Sequence, residues 1–455
     1  MPALFKLGKD LYLKPKLCLG VNLMLADPKI QLLQQAQTAQ AAGDWTGVIQ
    51  CLQQLASAEI GQETSQVLDL ALEALIEGDF SQRWDVAKMF PRLGVKAGID
   101  IHNIISPLIE IVKSDEDEEL RWYAARILGE FNQPSAIAAL VNLLKSSDHD
   151  ELTSMAASAL GQIGNPAVAA LSELLAAEDT RLIAVKSLAH IRRSETIAPL
   201  LTVVKDPDAN IRAISIEALG SFHSSEIPQV LLEALDDFAA PVRKEAVTGL
   251  GFRTDLREEL DLVNCLVPLL YDFNLDVCCS AATSLGRLGS EVAAEAIDAV
   301  ISSPAPINLQ LECIRALGRI ETPLCLQYLR SYLNAHSSLA LQQEIVKVLG
   351  QIEAKELKVI AGDILIETLQ LLELSTSIKS AIALSLGRLG EIKAVEPLIE
   401  LLATTDTGVR LHAIASLQQL APVQAYQQLQ QLNNDSGVKK LELTQGIEFA
   451  LKEWQ

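Results

Sequence analysis

Aromatic residues are scarce in this chain: Phe, Trp and Tyr together make up 4% of 455 residues. A core must therefore be built from Leu, Ile, Val and Ala, which suits close helix stacking and not a β-sandwich. Cations are scarce as well. Lys and Arg number 37 against 58 Asp and Glu, a net charge of −21. That balance argues against non-specific nucleic-acid binding, which needs clustered cations to displace counterions, and favours solubility or a basic partner. No run of 18 apolar residues occurs, so no transmembrane helix is expected. The seven cysteines (Cys18, Cys51, Cys265, Cys278, Cys279, Cys313, Cys325) form no CxxC pair and no zinc spacing, and read as buried free thiols of a reducing cytosol. The six histidines are scattered, and none stands four residues from another His or a Cys, so a metal site has no support. Phosphate-loop, dinucleotide, zinc-protease and nucleophile-elbow motifs are all missing. The residues by themselves thus predict no catalytic group and no cofactor.

What the chain has is a repeat. The dipeptide Leu-Gly or a near relative recurs with its leucine at Leu128, Leu160, Leu188, Leu219, Leu250, Leu285, Leu317, Leu349, Leu386 and Leu417. The steps are 32, 28, 31, 31, 35, 32, 32, 37 and 31 residues. A period near 30 means stacked supersecondary units, which overrides the prior of about three compact domains for this length. Each unit reads as two helices. The first is often opened by proline, as in Ile197 to Leu201 and Val395 to Ile399, where a missing N–H costs nothing. An acidic or polar loop follows, such as Lys205 to Asn210, whose Asp and Asn are ready N-caps. The second helix carries an apolar residue eight before the repeat leucine, often Arg seven before, and small residues four and one before. These apolar and small positions share one helical face, and the glycine after the leucine is read as a left-handed cap. The Arg series (Arg121, Arg181, Arg212, Arg243, Arg410) is expected to bond neighbouring loops and Asp caps.

Four segments follow. Residues 1–27 form an arm with Lys6, Lys9, Lys14 and Lys16 and a short apolar run from Leu17. It reads as an ordinary terminus, a cap, or a weak membrane contact. Residues 28–79 form a helical cap; its Ala41 to Trp45 turn resembles a tetratricopeptide hairpin. Residues 80–420 hold the repeats, and 421–455 a C-terminal helical cap. Extending the register back to Arg83-Trp84 gives eleven units. The 37-residue step before Leu386 predicts an inserted turn near Glu353 to Asp363.

Val409-Arg410…Ala413…Ser416-Leu417 and the two Leu-Gly-Arg-Leu-Gly segments, 285–289 and 386–390, resemble HEAT repeats. The stretch Leu386 to Leu398 is similar, more narrowly, to the lyase HEAT-like repeat of cyanobacterial phycobilisome proteins. The resemblance covers about residues 80 to 420. It implies an all-α, right-handed α-solenoid whose second helices line a concave groove. The positions two, five and six before each repeat leucine then face a partner. They present Trp84, Asp85, Lys88, Trp122, Tyr123 and Arg126 in the early units. They continue with Met155, Leu182, Ile183, Lys186 and Ile214, then Glu312 with Arg315 and Glu344 with Lys347. Aromatics flanked by cations are the stuff of binding hot spots, and also suit a flat anionic ligand. Trp84 and Trp122 stand open between groove and core, as do the apolar residues after them. The Glu–Arg and Glu–Lys sets read as surface pairs within one helix.

Two functions follow from the resemblance. One is a non-enzymatic cytoplasmic scaffold that holds a protein partner in its groove, for instance a phycobiliprotein or another component of photosynthetic assembly. The other is a bilin lyase or bilin chaperone of the E/F type. There the nucleophilic cysteine belongs to the phycobiliprotein, and the solenoid would cradle a bilin as bound ligand.

Overall fold

The computed structural model describes residues 28–57, 63–95, 97–147, 149–335, 338–370, 374–434 and 441–454. The basic arm, with Cys18, lies outside them. Among the described residues every regular element is a helix, as the aliphatic composition and the repeat require.

Two compact units divide at Ala170 and Leu171. The first holds α1 (Pro28–Ala41), α2 (Trp45–Leu55), α3 (Thr64–Glu77), α4 (Phe80–Ala87) and α5 (Phe90–Val95). It continues with α6 (Ile101–Ser114), α7 (Glu118–Leu128), α8 (Pro134–Ser146) and α9 (Asp150–Ile163), and α10 (Asn165–Leu174) carries the chain across the division. The second unit runs through α11 (Glu178–Ile191), α12 (Ile197–Leu201), α13 (Ala209–Gly220), α14 (Ile227–Ala234), α15 (Ala240–Gly251) and α16 (Leu262–Leu266). Next come α17 (Leu275–Leu288), α18 (Glu291–Ile301), α19 (Ile307–Ile320), α20 (Pro323–Asn334), α21 (Leu339–Leu349) and α22 (Lys355–Leu369). It closes with α23 (Thr376–Leu389), α24 (Val395–Glu400), α25 (Thr407–Leu420), α26 (Pro422–Asn434) and α27 (Leu441–Glu453).

The second helices stack on one another: α7 on α9 in the first unit, and α11, α13, α15, α17, α19, α21, α23 and α25 in succession in the second. All ten repeat leucines are fully buried, each contributing about 2 kcal/mol of apolar burial. The glycines that follow the repeat leucines are not among the left-handed ones. A Cβ on Gly129 would lie 2.8 Å from the Cα of Ala159, and one on Gly286 would lie 2.9 Å from the Cα of Ala316. Gly220 meets Gly249, Gly251 meets Ser284, Gly350 meets Ser385 and Gly387 meets Ser416 in the same way. These six glycines each receive the small residue that precedes the next repeat leucine, and their role is close helix approach; Gly318 instead meets Val348. The serines add a bond: Ser284, Ser385 and Ser416 donate to the carbonyls of Val247, Val346 and Ala383 on the preceding second helix, at 3.0, 3.0 and 2.8 Å. Left-handed glycine belongs elsewhere, as at Gly390 (φ +76°) after α23.

The loops are braced by arginine. Arg181 reaches Asp206 at 2.8 Å and the Leu175 carbonyl at 2.7 Å. Arg212 grips Asp237 with two bonds of 2.8 Å, and Arg243 grips Asp272 with two of 2.7 Å. Each spans one repeat, as the sequence predicts for the Arg series. Among the described residues, Arg121 and Arg410 donate to the carbonyls of Val112 and Leu402, at 3.0 and 3.1 Å. Where Cys278 replaces the arginine, its thiol bonds the Asp272 carbonyl at 3.1 Å. The inserted turn expected near Glu353 to Asp363 is not there. From Lys355 onward those residues belong to α22, an unbroken helix of 15 residues.

Candidate functional site

The early repeats bring the predicted aromatic and basic residues together. Asp79 caps α4 in a capping box with Gln82, and Arg83 ties that helix to the start of α7 through Asp117 (2.8 Å) and Glu119 (3.1 Å). This places Trp84 beside Trp122. Their rings stack at 6.5 Å between centroids and 26° between planes, and both are half-buried. The Arg126 guanidinium lies over Trp84 at 4.5 Å, and the Lys88 ammonium lies over it at 5.2 Å. Lys88 also pairs with Asp85 at 3.3 Å. Among the described residues Arg126 has no carboxylate partner. A half-exposed guanidinium held flat on an indole is a standing donor for an anionic group.

Tyr123 corrects the sequence reading. It is not on the surface but fully buried beneath the indoles. It meets Trp122 edge-on at 5.1 Å and Trp84 at 6.4 Å. Its hydroxyl donates to the Phe80 carbonyl at 3.0 Å. Burial, with Glu119 second, pushes its phenol above the ordinary value, so it remains a donor. The reason is local packing: Phe80 and Trp84 of α4 and the neighbouring Trp122 close around its ring.

Further along, Met155 is half-buried on α9 in the first unit. In the second unit Leu182, Ile183 and Ile214 are half-buried on α11 and α13, and Lys186 is exposed. Thr248, Cys279, Ser280, Thr283, Arg287, Asn308, Leu311, Glu312 and Arg315 line a groove of about 510 Å³. The charges beside it are not simple intrahelical pairs. Arg315 bonds Glu312 on its own helix and also Glu344 on α21 at 2.8 Å, and Glu344 takes Lys347 at 3.2 Å. The ladder thus joins two repeats. Arg287, from the first Leu-Gly-Arg-Leu-Gly segment, stacks on Phe252 at 4.3 Å, and burial and then Arg319 lower its pKa. Sequence reasoning passed over this arginine, although its place in a doubled motif marked it. Burial raises the thiols at Cys279, to about 11, and at Cys313, to about 12. Neither is a ready nucleophile. Among the described residues no cluster of His, Cys, Asp or Glu is placed to hold a metal ion, and no helix is long and apolar enough to cross a membrane.

Stacked antiparallel helix pairs with buried periodic leucines define an α-solenoid. A family model for HEAT repeats matches residues 105–183, 176–251 and 362–444, a little over half of the 455 residues. The chain belongs to the HEAT-repeat family. No curated protein matches it. Among solved structures it is similar to Kap121p, at 13% identity over 90% of this chain and 53% of that one, with a TM-score of 0.52. A mutant of Kap121p gives 14% identity, 89% and 53% coverage, and a TM-score of 0.53. Human deoxyhypusine hydroxylase in complex with glycerol aligns at 17% identity, over 59% of this chain and 99% of that one, with a TM-score of 0.26. This chain spans about half the length of Kap121p, and at 13–14% identity the likeness to Kap121p is one of fold.

Proposed function

We propose that this protein is a non-enzymatic HEAT-repeat scaffold that holds a protein partner against the face of its second helices. One observation carries the reading: the half-exposed Trp84–Trp122 stack, bearing an Arg126 that has no acidic partner among the described residues. Aromatic and arginine side chains on a rigid helical support are the residues that dominate binding energy at protein interfaces. The partner segment would set an apolar or flat group on the indoles and a carboxylate on Arg126. The resemblance of Leu386 to Leu398 to phycobilisome lyase repeats suggests a cytoplasmic partner from photosynthetic assembly, such as a phycobiliprotein. Pull-downs with the wild type and with Trp122→Ala/Arg126→Ala test this. A partner retained by the first and lost by the second supports the reading; one retained equally by both removes the site.

A second reading rests on the same stack. Two indoles and the cations of Lys88 and Arg126 fit a flat linear tetrapyrrole with propionate groups, as a bilin lyase or bilin chaperone would require. In that case a partner cysteine supplies the nucleophile. A bilin titration followed by visible absorption decides between them. A saturable spectral shift lost in the double variant favours the bilin; no shift leaves the scaffold.

A further inference from the structure

Two phenylalanines of the second unit stand wholly in solvent: Phe238 at 103% and Phe273 at 108% relative exposure. In a chain with only 9 phenylalanines, leaving both outside forgoes burial that the folded core would reward. The two occupy the same place in successive repeats. In the loops before α15 and α17, Asp237 and Asp272 each accept the backbone N–H two residues on, at 2.8 Å. That Asx turn puts the residue between at the outer corner, and the corner residues are Phe238 and Phe273.

Arg243 locks the corners together. Its Nη1 donates to the carbonyls of Asp237 (2.7 Å) and Phe238 (3.1 Å), while Nε and Nη2 close on the Asp272 carboxylate. The two rings are thus presented on braced, neighbouring loops, and little ordering cost remains for binding. Among the described residues, Asp236 and Asp276 stand beside them as unpaired negative charges. The nearby cations are engaged: Arg212 by Asp237, Arg243 by Asp272, and Lys205 by Glu233 at 3.1 Å. Asp236 and Asp276 are exposed and, among the described residues, have no ion-pair partner. Carboxylates beside the rings disfavour an acidic lipid surface and an acidic peptide alike. The complementary surface alternates apolar and basic groups.

The geometry points to a docking edge for a basic, apolar-rich peptide segment of a partner protein, with Phe238 and Phe273 as its apolar anchors and Asp236 and Asp276 as its counter-charges. This edge is additional to the Trp84–Trp122 site and does not depend on it.

The test titrates the full chain with two labelled synthetic peptides of equal length, one alternating Leu and Lys, the other Leu and Glu, followed by fluorescence anisotropy. The Lys peptide is expected to bind saturably and the Glu peptide not. Phe238→Ser/Phe273→Ser should weaken the Lys peptide about tenfold, and Asp236→Asn/Asp276→Asn should weaken it about threefold, both with unchanged melting because the four side chains are exposed. Equal binding by wild type and the Phe variant, equal affinity for the two peptides, or no saturable binding of the Lys peptide would each overturn the proposal. A parallel arm uses phosphatidylcholine vesicles containing phosphatidylserine. Vesicle binding that needs both phenylalanines, with no peptide binding, would reassign the edge to a membrane and overturn it too.

Discussion

Arg243 and Asp272 meet through two parallel bonds of 2.7 Å, with side chains only 15% and 7% exposed. The pair fastens one repeat to the next from inside the loop layer. Removing one partner leaves a largely buried charge alone, which costs about 3 kcal/mol. Asp272→Ala should therefore lower the free energy of unfolding by about that amount. Replacing both residues with apolar ones of similar size should recover only part of it, since the desolvation cost disappears but the Asp237 and Phe238 carbonyls and the Asn274 N–H lose these partners. Urea melts of the two variants check this; a single variant within about 0.5 kcal/mol of wild type would mean that water supports the lone arginine.

The same pairs set a pH dependence. The Arg212 guanidinium beside Asp237, and Arg243 beside Asp272, hold those carboxyls below their ordinary range. A depressed folded pKa gives stability that is present above the unfolded value, about 3.9, and lost as pH falls through the folded one. Wild type should thus melt well above Asp237→Asn/Asp272→Asn near neutral pH, and the gap should close below about pH 4. Melting curves across that range measure it. A gap independent of pH would show that the carboxylates contribute through geometry and not through charge.

The repeat period, the buried leucines and the Arg–Asp braces were legible because each is a property of spacing. Arg181, Arg212 and Arg243 each precede a loop with an aspartate in the right place, and Cys278 precedes Ser302 to Pro306, which has none. The glycines were misread for a physical reason: a left-handed cap and a close helix contact both exclude a Cβ, and one sequence does not separate them. Tyr123 was misplaced because Phe80, at the start of α4, packs on its ring and accepts its hydroxyl, a contact between helices that spacing within α7 does not encode. Phe238 and Phe273 each stand twelve residues before a repeat leucine, but a shared position does not tell an exposed ring from a buried one. Their exposure follows from an Asx turn, which hydrophobicity does not announce.

Gly286 shows what the glycine series does. A methyl there meets the Cα of Ala316 at 2.9 Å and its Cβ at 3.0 Å, atoms that cannot swing aside. Gly286→Ala should push α17 from α19 and cost about 1–3 kcal/mol, although alanine is the better helix former. Chemical denaturation distinguishes the two tendencies. A stabilised variant would mean that the helices separate freely, and that the Leu-Gly pattern reflects something other than approach distance.

Tyr123 and Arg126 lie one helical turn apart on α7 and should separate support from recognition. Tyr123→Phe removes the donor to the Phe80 carbonyl and should cost about 1 kcal/mol of stability, with partner or bilin affinity little changed because the hydroxyl is buried. Arg126→Ala loses only a half-exposed contact with Trp84, about 0.5–1 kcal/mol, but removes the cation that the indole stack presents. Its affinity for whichever ligand the stack takes should fall about tenfold. Melting and titration on both variants give a crossed pattern if the floor and the surface are as described. A Tyr123→Phe protein of unchanged stability that has lost binding would reverse the assignment and make the buried hydroxyl part of the recognition chemistry.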